Sequence, residues 1–272
     1  NDQIMLRKFL SENDAIAANT LEELARNCSV ILTMLPNSEI VRAVVLGDAP
    51  DSDCLLRGLK PGSILIDCST SEPWQTRLIG DELAQLDVYM VDAPVSGGRI
   101  FANNGTLDIS AGGETAVIEF CQPIFDSFST NVLHCGDLGA GHAMKALNNF
   151  VNASALITAV EALSVGQRFG LDTDKMISSM IAATTGRNNP LEKKVVPQIL
   201  TRRFGSGMDL GLLSKDTRIM SDMAHAMGAY APVAELCSDL WGEASEKVGM
   251  SEDQTCVAKL WEQKNQTILK LD

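Results

Sequence analysis

Short apolar runs and amphipathic stretches alternate through the first half of the chain. Residues 4–10 read as the end of an amphipathic helix, and the apolar run 15–18 as a strand end. Asn19-Thr20 then caps a helix over 21–27, with Glu22 and Glu23 in its first turn, where carboxylates suit the helix dipole. Residues 29–35 are almost continuously apolar and stop at Pro36, the pattern of a strand buried on both faces of a parallel sheet. Asn37-Ser38 caps a helix over 39–46, an acidic loop follows at 47–53, and Pro61-Gly62 turns the chain into a second buried strand at 63–67. Ser69-Thr70-Ser71 and Pro73 open a helix that runs to about 85. A third strand at 88–91 leads into Asp92-Ala-Pro-Val-Ser-Gly-Gly98, and strands at 106–111 and 131–134 flank a helix at 115–128.

Strand, loop and helix repeated with short connections predict a doubly wound α/β sheet. Ligands bind such sheets beyond the carboxyl ends of the strands. Polar clusters stand at those ends: Leu35-Pro36-Asn37, Ser69-Thr70 and Ser96-Gly97-Gly98. Any one of them is also an ordinary turn. After Gly139 the alternation stops. One helical pattern spans 140–168, longer than most globular helices, and further helices follow at about 173–184, 190–201, 209–228, 232–248 and 253–268. Met, Ala and Leu on their inward faces are ordinary helix packing. Two domains are expected, 1–137 and 138–272.

The composition of the 272-residue chain, 45% apolar and 21% charged, is that of a soluble globular protein. A net charge of −13 argues against nucleic-acid and anionic-membrane surfaces. Seven scattered cysteines without a Cys-x-x-Cys pair read as reduced thiols of an intracellular, cytoplasmic protein, with a mitochondrial location left open. No apolar run reaches the ~18 residues of a spanning helix, and no signal peptide opens the chain.

The stretch with most chemical promise is Gly139-Ala-Gly-His-Ala-Met-Lys145-Ala-Leu-Asn148-Asn149. Two glycines break the chain, and offsets of three and four residues then put both amides on or near the lysine's helix face. A lysine among Ala, Met and Leu is partly desolvated, which favours its neutral form and suits it to move a substrate proton. Spacing alone fits a solvated surface lysine with two amides at a helix start better than a catalytic one. His142, one turn earlier, either tunes that lysine or caps the helix at the surface. His134 and His225 have no metal-ligand partners at useful spacing, so no metal is expected. Cys68 reads as an inert buried thiol.

Four stretches carry a resemblance: Met34-Leu35-Pro36, Asp67-Cys68-Ser69-Thr70, Asp92-Ala-Pro-Val-Ser-Gly-Gly98 with Gly105-Thr106-Leu107, and Gly139-x-Gly-x-x-x-Lys145-x-x-Asn148-Asn149. Lys215-Asp216 is a fifth. Nearly the whole chain resembles the β-hydroxyacid dehydrogenases, the family of 3-hydroxyisobutyrate dehydrogenase and tartronate semialdehyde reductase, related to 6-phosphogluconate dehydrogenase. The resemblance implies a Rossmann-type doubly wound sheet followed by an all-α domain, with a long interdomain helix. It implies NAD or NADP as cofactor and a small β-hydroxyacid as substrate. Lys145 is then the general acid/base, and Ser96, Gly97, Gly98 and Asn149 bind substrate. Leu35, Pro36, Asn37, Thr70, Lys215 and Asp216 bind the cofactor. Family members are often dimers or tetramers built through the helical domain, and the apolar faces of that domain, including Phe150, Leu156 and Trp241, are expected to supply subunit contacts as well as a core.

Two departures qualify the resemblance. The family begins with a strand and Gly-x-Gly-x-x-Gly, which seats a pyrophosphate at a helix N-terminus. That motif is absent, so roughly one βαβ unit is expected to be missing from the front, and with it the residue selecting NAD or NADP, unless Asp2 stands near it. Arg99 replaces the usual small or neutral residue after Ser-Gly-Gly, and either binds a second acidic group on the substrate or is solvated. Two rivals remain: imine or other carbonyl reduction on the same scaffold, against which Lys145 counts, and a non-catalytic scaffold.

Overall fold

The computed structural model describes residues 3–183, 190–226 and 231–271. Asp2 and the expected helix ends at 184 and 227–228 lie outside the described residues. The chain opens with α1 (Gln3–Glu12) and α2 (Leu21–Asn27). Thr20 caps α2, its Oγ1 accepting from Glu23 N–H at 3.0 Å, and Glu23 Oε2 accepts from Asn19 N–H, one residue before the cap, at 2.7 Å. Residues 15–18 form no strand, and Ile16 is exposed. A four-residue apolar run without a neighbouring strand has nowhere to place its backbone hydrogen bonds.

β1 (Val30–Thr33), α3 (Ser38–Leu46), β2 (Ile64–Asp67), α4 (Pro73–Ala84) and β3 (Tyr89–Asp92) follow, with a single 3₁₀ turn at Leu55–Arg57. β1, β2 and β3 are parallel, with Thr33 beside Asp67 and Asp67 beside Asp92 at their carboxyl ends. β2 is buried throughout. β1 is not, because it ends the strand order, and Leu32 and Met34 face solvent. The continuous apolar run there reflects one buried face rather than two.

β4 (Val95–Ser96), α5 (Gly98–Asn104), β5 (Leu107–Gly112), α6 (Thr115–Phe125) and β6 (Ser129–Gly136) complete the sheet elements. The strand order is β1-β2-β3-β5-β4, with β6 on β5. β5 meets β3 antiparallel, at Asp92 and Gly112, so the sheet is mixed rather than wholly parallel.

α7 (Ala140–Phe169), α8 (Thr173–Ala183), a π-helical segment (Leu191–Leu200), α9 (Leu210–Ala226), α10 (Pro232–Val248) and α11 (Val257–Asn265) make up the rest. No described helix is long and apolar enough to cross a membrane.

Packing divides the chain into two units. The first comprises Asn1–Pro94, Ile109–Phe125 and Val132–His142, the second Val95–Asp108, Asp126–Asn131 and Ala143–Asp272. The first has its core in Ala25, Ile31, Val41, Leu65, Ile79 and Leu83, where strand residues meet the apolar stripes of the helices. The second is built around Leu156, Ile199, Leu210, Leu213, Trp241 and Trp261. Leu156 and Trp241 are fully buried in that core, and Phe150 packs against it. Leu156 and Trp241 therefore offer no face to a second subunit, while Phe150 is half-buried.

Candidate active site

In the first unit, the polar residues collect where the parallel strands end. Leu35, just past β1, packs on the core and donates its N–H to Ser69 Oγ at 2.8 Å. Pro36 is exposed. Asn37 caps α3, its Oδ1 accepting from Ile40 N–H at 2.9 Å, so its amide N–H groups are not used in the cap. Thr70 is half-buried after β2. Leu35, Pro36, Asn37 and Thr70 thus line one end of this unit with an apolar side chain, a proline and two polar ones. That mixture fits the ring and hydroxyl faces of a dinucleotide at the carboxyl edge of parallel strands.

Behind that edge lies a buried polar network that the sequence did not announce. Thr33 Oγ1 donates to Asp67 Oδ1 at 2.9 Å, and Ser71 Oγ to Asp67 Oδ2 at 3.2 Å. His142 is fully buried, not a surface cap. Its Nε2 stands 3.0 Å from Ser69 O, which only accepts, so Nε2 carries a proton and donates. Its Nδ1 pairs with Thr76 Oγ1 at 2.8 Å, and Asp67 and Asp92 stand 3.8 and 3.6 Å from the ring. The signal available in the sequence was the aspartate ending each of two successive strands.

Cys68, in the same region, has its thiol pushed up to about 12 by burial first and Asp67 second, which makes it unreactive. His134 bonds Gly113 O and Gly136 O, each at 3.0 Å, and His225 pairs with Glu235 at 2.7 Å.

In the second unit, Ser96 ends β4, and Gly97 and Gly98 follow with φ of +121° and +70°. Two consecutive residues in that region turn the backbone sharply, and a side chain is strained at each. At Gly97 a Cβ would also lie 2.6 Å from Phe101 Cβ. Arg99 is exposed on α5.

Lys145 lies on the second turn of α7, half-buried, with Nζ donating to Ser96 Oγ at 3.4 Å. Burial pushes its pKa below the ordinary lysine value. Asp216 opposes that shift by raising it, and Lys215 adds to it. The two neighbouring amides part company: Asn148 is exposed, whereas Asn149 is buried and donates Nδ2–H to Asp216 Oδ2 at 2.6 Å. Asp216 is buried on α9, with the Lys215 ammonium 3.3 Å from its Oδ1 in an ion pair that lacks hydrogen-bond geometry. One aspartate thus serves an amide and a lysine, beside a second lysine that faces a serine hydroxyl. Such a group can hold an anion, orient a hydroxyl and exchange a proton with it. Lys145, Ser96, Asn149, Lys215 and Asp216 come together here. Leu35, Pro36, Asn37 and Thr70 belong to the other unit.

Residues 3–136 match the family model for the NAD binding domain of 6-phosphogluconate dehydrogenase. Residues 139–261 match the model described as NAD-binding of NADP-dependent 3-hydroxyisobutyrate dehydrogenase. The chain is 31% identical over 250 residues to the 2-(hydroxymethyl)glutarate dehydrogenase of Eubacterium barkeri, covering 92% of this chain and 81% of that one. It is 29% identical over 254 residues to the NAD-dependent L-serine dehydrogenase of Pseudomonas aeruginosa, covering 91% and 84%. The crystal structure of a 3-hydroxyisobutyrate dehydrogenase from Salmonella typhimurium superposes with a TM-score of 0.76 at 26% identity, covering 95% of this chain and 88% of that one.

Proposed function

The chain belongs to the β-hydroxyacid dehydrogenase family, an NAD(P)-dependent oxidoreductase family, and from that premise we propose that it interconverts a small β-hydroxyacid and its carbonyl form with Lys145 as general acid/base. The observation that carries this reading is the Lys145 amine, its pKa lowered by burial, 3.4 Å from Ser96 Oγ.

When bound, NAD or NADP supplies the hydride acceptor for oxidation and the donor for reduction. In oxidation the neutral Lys145 amine takes the hydroxyl proton as hydride leaves the adjacent carbon. In reduction the ammonium returns that proton to the carbonyl oxygen. Ser96, with the Gly97 and Gly98 backbone, holds the substrate carboxylate, which a left-handed glycine pair approaches without Cβ interference. Asn149 orients the substrate hydroxyl. Its Nδ2 is committed to Asp216, which fixes the amide plane and turns Oδ1 to the opposite side. Leu35, Pro36, Asn37 and Thr70 are the cofactor-lining residues proposed for the first unit, and Lys215, paired with Asp216, is the cation that the resemblance assigns to the cofactor in the second. Residues 1–137 are the nucleotide-binding domain in this account, and residues 138–272 the substrate and assembly domain.

The substrate carries a carboxylate and a hydroxyl on its β carbon, with one carbon between the carboxyl carbon and the carbinol carbon. The relatives are named for L-serine, 3-hydroxyisobutyrate and 2-(hydroxymethyl)glutarate, which share that feature. A homodimer or homotetramer through the helical domain completes the proposal, with exposed Val151, Val233 and Leu236 as available apolar contacts. Seven free cysteines accord with a reducing compartment, cytoplasmic or mitochondrial.

The test follows nicotinamide absorbance on the full-length gene product with NAD and with NADP against those three acids and their homologues. Turnover of at least one β-hydroxyacid is expected. Activity confined to imines, or none with either cofactor, would contradict the proposal. Light scattering on the same sample checks the assembly, and a monomer would refute that part.

A further inference from the structure

The carboxylate that ends β3 ties together two segments far apart in sequence. Asp92 is fully buried. Its Oδ1 accepts from Gly139 N–H and its Oδ2 from His142 N–H, both at 2.7 Å. These amides belong to the start of α7, where N–H groups lack helical partners and the dipole favours an anion. Two glycines permit the approach. A Cβ on Gly112 would strike Asp92 Oδ1, and one on Gly141 would strike Ser110 O and stand 2.8 Å from Asp92 O. From the other side the His142 ring is fastened to Thr76 Oγ1 and Ser69 O. The first turn of α7 therefore has one place available against β3.

The chain leaving Asp92 in the other direction is fastened as firmly. Ala93 N–H donates to Asp67 O at 2.8 Å, and Ser110 N–H to Pro94 O at 3.3 Å, with Ala93 and Pro94 both buried. Ser96 is the second residue after Pro94, and Lys145 stands three residues, about one turn, after His142.

We infer that Asp92 is a positioning residue for the acid–base step: its carboxylate fixes where the helix carrying Lys145 begins, against a strand end whose backbone bonds at Ala93 and Pro94 hold the chain running on to Ser96. Through that helix it sets the separation of Lys145 Nζ from Ser96 Oγ. The inference rests on the proposed role of Lys145. A misplacement of about 1 Å at such a pair is enough to cost about 100-fold in rate.

Asp92→Asn keeps the shape but turns one acceptor into an N–H₂ group facing a backbone N–H. Lysine amines of the full-length protein, labelled with ¹⁵N, are titrated by NMR, with the Lys145 signal assigned through Lys145→Arg. Lys194 is the internal control, since burial lowers its pKa to about 8 on a separate helical segment, where its Nζ donates to Gln254 Oε1 at 2.8 Å. In Asp92→Asn the Lys145 midpoint is expected to rise toward the ordinary 10.5 as its amine leaves its seat, while Lys194 stays in place. The kcat on the hydroxyacid falls about 100-fold, with the nicotinamide KM changed less than about twofold.

A Lys145 midpoint unmoved in folded Asp92→Asn overturns the inference, and so does a parallel shift of Lys194, which marks general loosening. If Asp92→Asn does not fold, Gly141→Ala displaces the same helix end from the other side and is read the same way. Failure of both to fold makes Asp92 a fold residue only. The titration needs no turnover. A wild type inactive on every hydroxyacid therefore counts against the proposed function, while the Lys145 shift separately decides the role of Asp92.

Discussion

At Lys145 burial favours the neutral amine, Asp216 favours the ammonium and Lys215 disfavours it, with burial the largest influence. The sign of the pH dependence follows. Oxidation needs the neutral amine, so its kcat rises with pH through a midpoint below 10.5, and reduction falls through the same midpoint; steady-state pH profiles in both directions check this. Stability carries the matching signature. Between the lowered midpoint and 10.5 the unfolded chain binds more protons than the folded one, so this group's contribution to stability increases as pH rises through that window. Ser96→Ala removes a hydroxyl proposed to meet a carboxylate, and the substrate KM is expected to rise about tenfold or more, since a hydrogen bond to a charged group is worth about 1.5–3 kcal/mol. An unchanged KM in Ser96→Ala would place the carboxylate elsewhere. That Lys145, Ser96 and Asn149 belong to one cluster was legible in the sequence through the family resemblance of their glycine-rich motifs, whereas spacing alone left Lys145 open. Asp67, Asp92 and His142 were not legible, although each stands inside a quoted motif. Their role depends on burial, and a polar residue's burial is decided by what the fold lays over it.

Among the elements, helices were the most legible, because caps and apolar periodicity are local. Asn37 and Thr20 cap α3 and α2 as their positions imply. α5 was hidden by Gly97-Gly98, which read as a loop although Gly98 is already helical. β1 was found but its exposure was not, since an apolar run says that a strand exists and not how many faces are covered. The antiparallel return of β5 was likewise invisible, because strand direction is set by connections rather than by strand residues. Burial at this scale also ranks substitutions. Trp241→Ala opens the centre of the helical core and is expected to cost about 3–5 kcal/mol, whereas Leu78→Ala on the exposed face of α4 stays within about 0.5 kcal/mol. Urea unfolding of the two variants checks the contrast. Equal losses would mean that Trp241 does not anchor that core.

At the scale of the whole molecule, the chain comprises a mixed sheet unit and a helical unit. The polar edge proposed for the cofactor belongs to one, and the cluster around Lys145 to the other. A chain carrying −13 overall gathers two lysines, both largely screened from solvent, around one buried aspartate in that cluster. The central claim is that Lys145 handles the substrate proton. It is tested most directly by comparing kcat/KM for wild type and Lys145→Ala on the best β-hydroxyacid, with nicotinamide binding measured alongside by fluorescence. The expected result is a loss of about 10²–10⁴-fold in turnover with cofactor affinity retained. Turnover within a few-fold of wild type in Lys145→Ala would show that the proton passes through another group.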